Sequence, residues 1–390
     1  MERIYLDHAA TTPLRAEVLA AMQPCLTTVY GNANALYREG KAARDALEAA
    51  RTTIAAAIGA SPLELAFTSG GTEANNALIT GIARAVRRQR GETKANHLIC
   101  SAFEHHAVLE PVNALRREGF EVTLLKPRRD GFIHVEDLIG ALRPNTLLVS
   151  IMAAQNELGT VQPLAALAQA THEYGACFHT DAVQALGKLP FDVGALGVDA
   201  ASFSAHKLGG PKGAGAFYLR RQTPFAAVQL GGGQESGRRS GTQNVAGAVG
   251  FAKAVELACE PRALAAETSR LIQLRDGLAA GLLRHDLRFS LTVPIAADDS
   301  RRHLPGLLPI LVDGFEAETL ILRLDDAGFA VSSGSACSTG SLEPSHVLSS
   351  LGIAKGKAYG ALRVSMGRET TQEQLAAFAH ALAAIVRSGG

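Results

Sequence analysis

The stretch TLLVSIMAAQNELGTVQPLAALAQATHEYGACFHTDAVQALGKLPFDVGALGVDAASFSAHK, residues 146–207, holds three short apolar runs that each give way to polar residues. The runs at 146–152, 176–179 and 199–204 are continuous rather than alternating, as strands covered on both faces require. Between the first two, residues 163–174 repeat apolar positions at helical spacing. Strand, helix and strand in that order predict parallel pairing with the helix laid on the sheet. The pattern continues outward, with strands expected at 65–68, 97–101, 121–125 and 215–219 and helices at 72–90, 107–118 and 135–142. The fold class is therefore α/β, a mainly parallel seven-stranded sheet with helices on both faces. Ligands of such sheets sit at the carboxyl ends of the strands, so the strand-to-loop junctions are where a site is expected.

Further out, residues 40–58 read as an Ala-rich helix, and 244–259 and 265–284 as two helices around Pro261. The remainder, 285–390, mixes strands (307–312, 362–366) with helices (316–325, 372–388) and reads as a smaller α+β domain. Its segment SSGSACSTGSLEP, residues 332–344, is too rich in Ser and Gly for an element interior and is expected to be a mobile or exposed loop.

Composition excludes several classes. The 390 residues carry 38 Lys+Arg against 37 Asp+Glu, a net charge of +1, where a dedicated nucleic-acid binder would show a basic excess. No apolar run approaches the ~20 residues that span a bilayer. The first residues, MERIYLDHAATTP, place Glu2, Asp7 and Pro13 where a signal peptide needs an apolar stretch, so a cytoplasmic location is expected. The five cysteines, Cys25, Cys100, Cys177, Cys259 and Cys337, are far apart, with no C-x-x-C pair to suggest a metal or cluster. Reduced thiols, one of them with a task, fit that arithmetic.

Three motifs follow expected strands. In FTSGGTEANN (residues 67–76) Gly70 and Gly71 precede a helix start, which suits a phosphate; a tight turn capped by Thr would read the same. In CFHTDAVQALGK (177–188) Asp181 lies just past a strand, where a carboxylate either meets a cation or caps the next turn. In SFSAHKLGGPKG (202–213) Lys207 is framed by small residues, so it is either confined enough to attack a carbonyl or a solvated lysine on a loop. Taken together, a phosphate cradle, a carboxylate and a Schiff-base lysine are the three handles of pyridoxal phosphate.

The sequence resembles the cysteine desulfurases, in the class V aminotransferase group of fold-type I pyridoxal phosphate enzymes. The resemblance runs through YLDHAATTP (5–13), the three motifs above, EHHAVLEP (104–111), VSIMAAQNELGTVQP (149–163), GGGQESGRRSGTQN (231–244), SSGSACSTGSLEPSHVL (332–348) and LRVSMGR (362–368). The continuation of the cysteine loop is that of the longer-loop, nitrogen-fixation and housekeeping kind. It implies a large cofactor domain over 15–255 and a small domain over 256–390, with segment 1–14 packing near the latter. It further implies that Lys207 carries the cofactor, Asp181 pairs with the ring nitrogen, and Gln184 bonds the ring hydroxyl. Gly71, Thr72, Ser204 and His206 would hold the phosphate, joined by Thr242 from the neighbouring subunit of a homodimer. His105 would stack on the ring and move protons. Asn156 and Arg363 would grip the substrate carboxylate, and Cys337 would take the sulfur of L-cysteine as a persulfide, leaving L-alanine.

The sulfur would go to an acceptor protein, an iron–sulfur scaffold or a tRNA-thiolation enzyme, with no nucleic acid or membrane as direct partner. Relatives often carry a C-terminal extension that docks a scaffold; here the chain ends at Gly390, and no such partner is assigned. Three positions depart from the family: Ala33 where Pro is usual, Gln155 where Asn is common, and Gln234 where some relatives have His. Rival expectations are a selenocysteine lyase or another class V aminotransferase or lyase, and, from a different class, a non-catalytic iron–sulfur scaffold. The scattered cysteines and the Lys207–Asp181 combination speak against the scaffold.

Overall fold

The computed structural model describes residues 3–285, 287, 289–295, 302–333 and 345–389. Cys337, and all of the 332–344 segment except Ser332 and Ser333, lies outside the described residues. The strands are β1 (Ile4–Tyr5), β2 (Leu65–Thr68), β3 (His97–Ser101), β4 (Glu121–Leu125), β5 (Thr146–Ser150), β6 (Cys177–Asp181) and β7 (Ala200–Ser204). There follow β8 (Gly215–Leu219), β9 (Phe289–Leu291), β10 (Leu307–Val312), β11 (Phe329–Ala330), β12 (Ser332–Ser333) and β13 (Ala361–Ser365).

Seven strands form one sheet in the order β2-β8-β7-β6-β5-β3-β4. Six run the same way and β8 is antiparallel to both its neighbours. The carboxyl ends of β2, β3, β5, β6 and β7 therefore share one rim. Side-chain alternation along β7 sends Ala201 and Phe203 into the core on one face and Ala200 into that on the other. Phe203 is fully buried with the Phe191 ring edge-on at 5.7 Å, worth about 1.5–3 kcal/mol against exposure, and it anchors the strand that delivers Lys207. The start of β8 crosses the β2 turn so closely that a Cβ on Gly215 would lie 2.6 Å from Gly70 Cα. Only glycine fits there.

Most elements fall within one or two residues of expectation, and two of the shifted boundaries have a clear cause. The strand expected at 176–179 runs on to Asp181, which is its last residue rather than one past its end. The polar His179-Thr180-Asp181 stays in the ladder because it pairs with 200–202 and because His179 is bridged to Ser150 Oγ (2.8 Å) and Ser202 Oγ (3.2 Å). The helix expected from 265 begins at Pro261, whose fixed φ and missing N–H suit a first helical position, with Glu260 accepting from the Arg262 and Ala263 amides.

The C-terminal strands form a second, antiparallel sheet, β12-β13-β10-β9, backed by helices Pro261–Arg284, Ala317–Asp326 and Gln372–Ser388. Its core joins Leu278, Ile310, Leu320, Val364 and Phe378 with Leu6 from the chain start. That start is held by β1 beside β11 and by a bridge from Asp7 to Ser365. Among the described residues, no helix is long and apolar enough to cross a membrane.

Candidate active site

A cavity of about 430 Å³ opens on the shared rim of the large sheet. Ten of the residues singled out in the sequence line it: Gly71, Thr72, His105, Asn156, Asp181, Gln184, Ser204, His206, Lys207 and Arg363. Thr242 does not. It is exposed and lines a separate hollow with Ser69, Gly213 and Arg239.

The first wall is the β2 turn. Helix Gly71–Arg90 starts at Gly70 with no side chain capping its first amides, and a Cβ on Gly71 would come 2.6 Å from Val183 Cγ2. An uncapped start of a 20-residue helix presents free N–H groups and positive potential to an anion. Beside it, the His206 imidazole is lowered to about 4 by burial and then by Lys207, Lys212 and Lys188, so it is neutral and offers a hydrogen bond rather than charge. Its Nδ1 lies 3.1 Å from Thr11 Oγ1.

Asp181 closes the floor. Asn75 Nδ2 donates to one of its oxygens at 2.6 Å and the Val183 amide to the other at 2.9 Å, leaving each a further lone pair for a ring N–H. Lys207 leaves β7 on a single turn of 3-10 helix, and its Nζ donates to the carbonyls of Ala9 (2.8 Å) and Ala10 (2.6 Å). The YLDHAATTP segment is thus the cradle of the lysine: Thr12 donates to His206 O and receives the Gly209 amide at 2.8 Å. The Ala9 carbonyl also accepts from Gln184 Nε2 at 2.8 Å, and Gln184 Oε1 accepts from Lys188 Nζ at 2.5 Å. Lys188 itself is lowered to about 7 by burial, with Lys207 and Arg363 adding to the effect.

His105 caps helix His106–Arg117, its Nδ1 accepting the Ala107 amide at 3.0 Å. Burial lowers its pKa, so the ring is a neutral imidazole carrying its proton on Nε2. Arg363, on β13, is 2 % exposed. Its Nη2 meets Asp7 Oδ1 at 2.8 Å and its Nη1 the Asn156 carbonyl at 3.0 Å. Its Nε is buried with no partner among the described residues.

The loop bearing Thr242 is pinned from below. Arg51 grips Glu235 through Nη1 (2.6 Å) and Nη2 (3.0 Å), the Phe67 amide donates to the same carboxylate at 2.9 Å, and Arg239 pairs with Glu73 at 2.7 Å. Glu235 (φ +50°) and Ser236 (φ +57°) are non-glycine residues held left-handed, a strain that the buried pair sustains. Of the family departures, Gln155 is fully buried and folds its own loop. Its Oε1 accepts the Glu157 (2.5 Å) and Leu158 (2.8 Å) amides, and its Nε2 donates to Phe103 O.

The other thiols are poor nucleophiles. Burial raises Cys25, pushes Cys100 well up, and takes Cys177 to about 12 and Cys259 to about 11; none lines the cavity. The described residues include no group of His, Cys, Asp and Glu able to hold a metal ion. Pyridoxal phosphate fits what is present: an uncapped helix start, a carboxylate with spare lone pairs, a lysine, and buried polar atoms of Asn75, Glu104 and Arg363 that lack a protein partner among the described residues. Sequence reasoning missed Asn75, Glu104, Glu157 and Lys188. Asn75 alone had a signal, three residues beyond Thr72 and so on the same helix face.

Known proteins resemble this chain over most of its length. The Aminotransferase class-V family model matches residues 4–378. A "Cysteine desulfurase IscS" of Dictyoglomus turgidum is 46% identical over 372 residues, 95% of this chain and 91% of that protein. One from Methanosarcina thermophila is 42% identical over 373 residues, 95% of this chain and 89% of that one. Among solved structures, a "NifS-like protein" superposes with a TM-score of 0.90 at 35% identity, covering 99% of this chain and 100% of that one.

Proposed function

The chain belongs to the class-V aminotransferase family, with cysteine desulfurases as its relatives, and from that premise we propose that it converts L-cysteine to L-alanine and passes the sulfur on through Cys337. The observation that carries this reading is the meeting of Lys207, Asp181, the Gly71–Thr72 helix start and Arg363 around one cavity. Pyridoxal phosphate, when bound, supplies the electron sink for the substrate's Cα–H electron pair. The chain's own residues do the rest. The amides of Gly71 and Thr72, with Ser204 and His206, would bind the phosphate, and Asp181, oriented by Asn75 and Val183, would hold the ring-nitrogen proton. Gln184 keeps its second Nε2 hydrogen for the ring hydroxyl, its oxygen being taken by Lys188.

Lys207 Nζ would hold the cofactor and would move the substrate Cα proton when not so engaged. His105 would pack on the ring and would exchange protons through Nε2, since Nδ1 is tied to the Ala107 amide. Arg363 takes the substrate carboxylate with Nε and its remaining N–H groups, helped by Asn156. The Cys337 thiolate then attacks the substrate sulfur, forming an S–S bond as the Cβ–S bond breaks and its electron pair stays with carbon, which is protonated to alanine. The family resemblance around residue 337 supports this assignment, as do the unreactive thiols elsewhere.

The same reading takes the enzyme as a homodimer in the cytoplasm. The exposed Thr242 of each protomer completes the partner's phosphate site, and the cofactor and cysteine-loop domains divide at about residue 256. Sulfur delivery to an iron–sulfur scaffold or a thiolation enzyme follows from a persulfide product. The test supplies L-cysteine and a reductant and quantifies alanine and sulfide together. Equal yields are expected, and Cys337→Ala should lose both while keeping the cofactor. Pyruvate and ammonia instead would show an eliminating lyase and overturn the proposal.

A further inference from the structure

Glu104 is fully buried on the cavity wall, and its carboxyl is half engaged. Its Oε1 accepts both the Ser101 hydroxyl and the Met152 amide, the latter at 2.6 Å, whereas Oε2 has no partner among the described residues. Asp181 lines the same cavity with a donor on each oxygen. Two carboxyls that face one low-dielectric pocket do not both ionise readily, and the one with an unserved oxygen keeps the proton.

The occupied oxygen behaves as the carbonyl of an acid, with both lone pairs used, and the unserved one is left as the hydroxyl. The Asp181 carboxylate from β6 and the Cys100 thiol on β3 interact with the Glu104 carboxyl, the neutral His105 ring lines the same cavity, and His346 Nε2 lies 2.9 Å from the Glu104 backbone carbonyl. Burial, with the Asp181 charge adding to it, pushes the Glu104 carboxyl up to about 8.

We propose that Glu104 stands in this site as a neutral carboxylic acid whose Oε2–H donates a hydrogen bond into the cofactor cavity, a binding group that adds no second negative charge beside Asp181. The proposal rests on the cofactor reading of the cavity. Its first test is independent of that reading: an infrared difference spectrum between wild type and Glu104→Gln, taken on cofactor-stripped protein near pH 7. A carboxylic-acid carbonyl band that disappears in the variant is expected. Glu157, also raised by burial, to about 7, contributes a band that cancels in the difference. Loss of a carboxylate band instead overturns the proposal, whether or not the protein binds pyridoxal phosphate.

The second test titrates stripped protein with pyridoxal phosphate. Glu104→Gln, which retains a donor, should bind within about twofold of wild type. Glu104→Leu should bind about tenfold more weakly, the size of one hydrogen bond. The pH midpoint of the bound cofactor's visible band should be unmoved by Glu104→Gln. A midpoint displaced by about one pH unit reveals a lost negative charge, and an unweakened Leu variant removes the donor role. Should the Leu variant not fold, the two Gln measurements still decide. A wild type that takes up no cofactor would sink the cofactor reading alone.

Discussion

Replacing Glu235 by Ala should damage the protein far from the chemistry. Arg51 is 7 % exposed and Glu235 5 %, so their ion pair is nearly dry. Removing the carboxylate strands the guanidinium, a loss of about 3–5 kcal/mol for a buried charge left uncompensated. It also leaves the Phe67 amide without its acceptor, about 1–3 kcal/mol more. Against this, Arg51 Nε keeps Glu48 at 3.1 Å and Nη1 keeps the Leu65 carbonyl, although the Glu48 side chain is half in water. A net loss of about 4 kcal/mol follows, or roughly 8 °C in Tm at ~2 °C per kcal/mol. The chain has no Trp, so the melt is best followed by the cofactor's visible band and by circular dichroism. The double variant Arg51→Met, Glu235→Leu should recover the stranded-charge share of the loss, because a buried pair replaced by apolar side chains costs little, while the Phe67 amide stays without its acceptor. A single variant that melts within about 1 °C of wild type, or a double variant worse than either single, would refute the picture of a dry pair pinning the loop.

Three more outcomes are expected. Lys207→Ala should abolish the reducible visible band of the bound cofactor; a band that survives unchanged places the anchor elsewhere. Asp181→Asn should keep Asn75 and Val183 near their positions yet lower turnover by about two to four orders of magnitude, read in the alanine assay. His179 is held at about 3 by burial, so below the usual histidine range the unfolded chain binds a proton that the folded one refuses. Stability is therefore gained as pH rises from about 3 to 6.5 and is flat above, and His179→Gln should shallow that rise in urea midpoints measured across the window.

Much of this molecule was legible before its structure. Continuous apolar runs located the large sheet, since strands covered on both faces have no polar side to show. The strand ends then pointed to Thr72, Asp181 and Lys207. The limit of that logic shows at β6, where apolarity stops at Phe178 but pairing continues to Asp181 because neighbouring serines satisfy His179. The carbonyls of Ala9 and Ala10 could not be read at all. A backbone acceptor leaves no mark on residue type, and which carbonyl meets Lys207 depends on contacts two hundred residues apart. Glu104 and Lys188 carried the opposite misdirection, for charged residues are usually solvated and only packing reveals that these are not.

The chain start has a bearing on when this enzyme becomes one. Residues 4–7 leave the ribosome long before their resting places are made: Leu6 shares a core with Val364, β1 lies beside β11, and Asp7 reaches Arg363 and Ser365. The large sheet, complete by residue 219, is free to fold while the remainder is still being made. The carbonyls that seat Lys207 lie between two anchors: Thr12 is hydrogen-bonded to His206 and Gly209, beside the large sheet, whereas Asp7 waits for the strand at 361–365. The segment that seats the lysine is thus docked on the large sheet at one end and on the small one at the other, so full tightening of that seat should follow completion of both sheets.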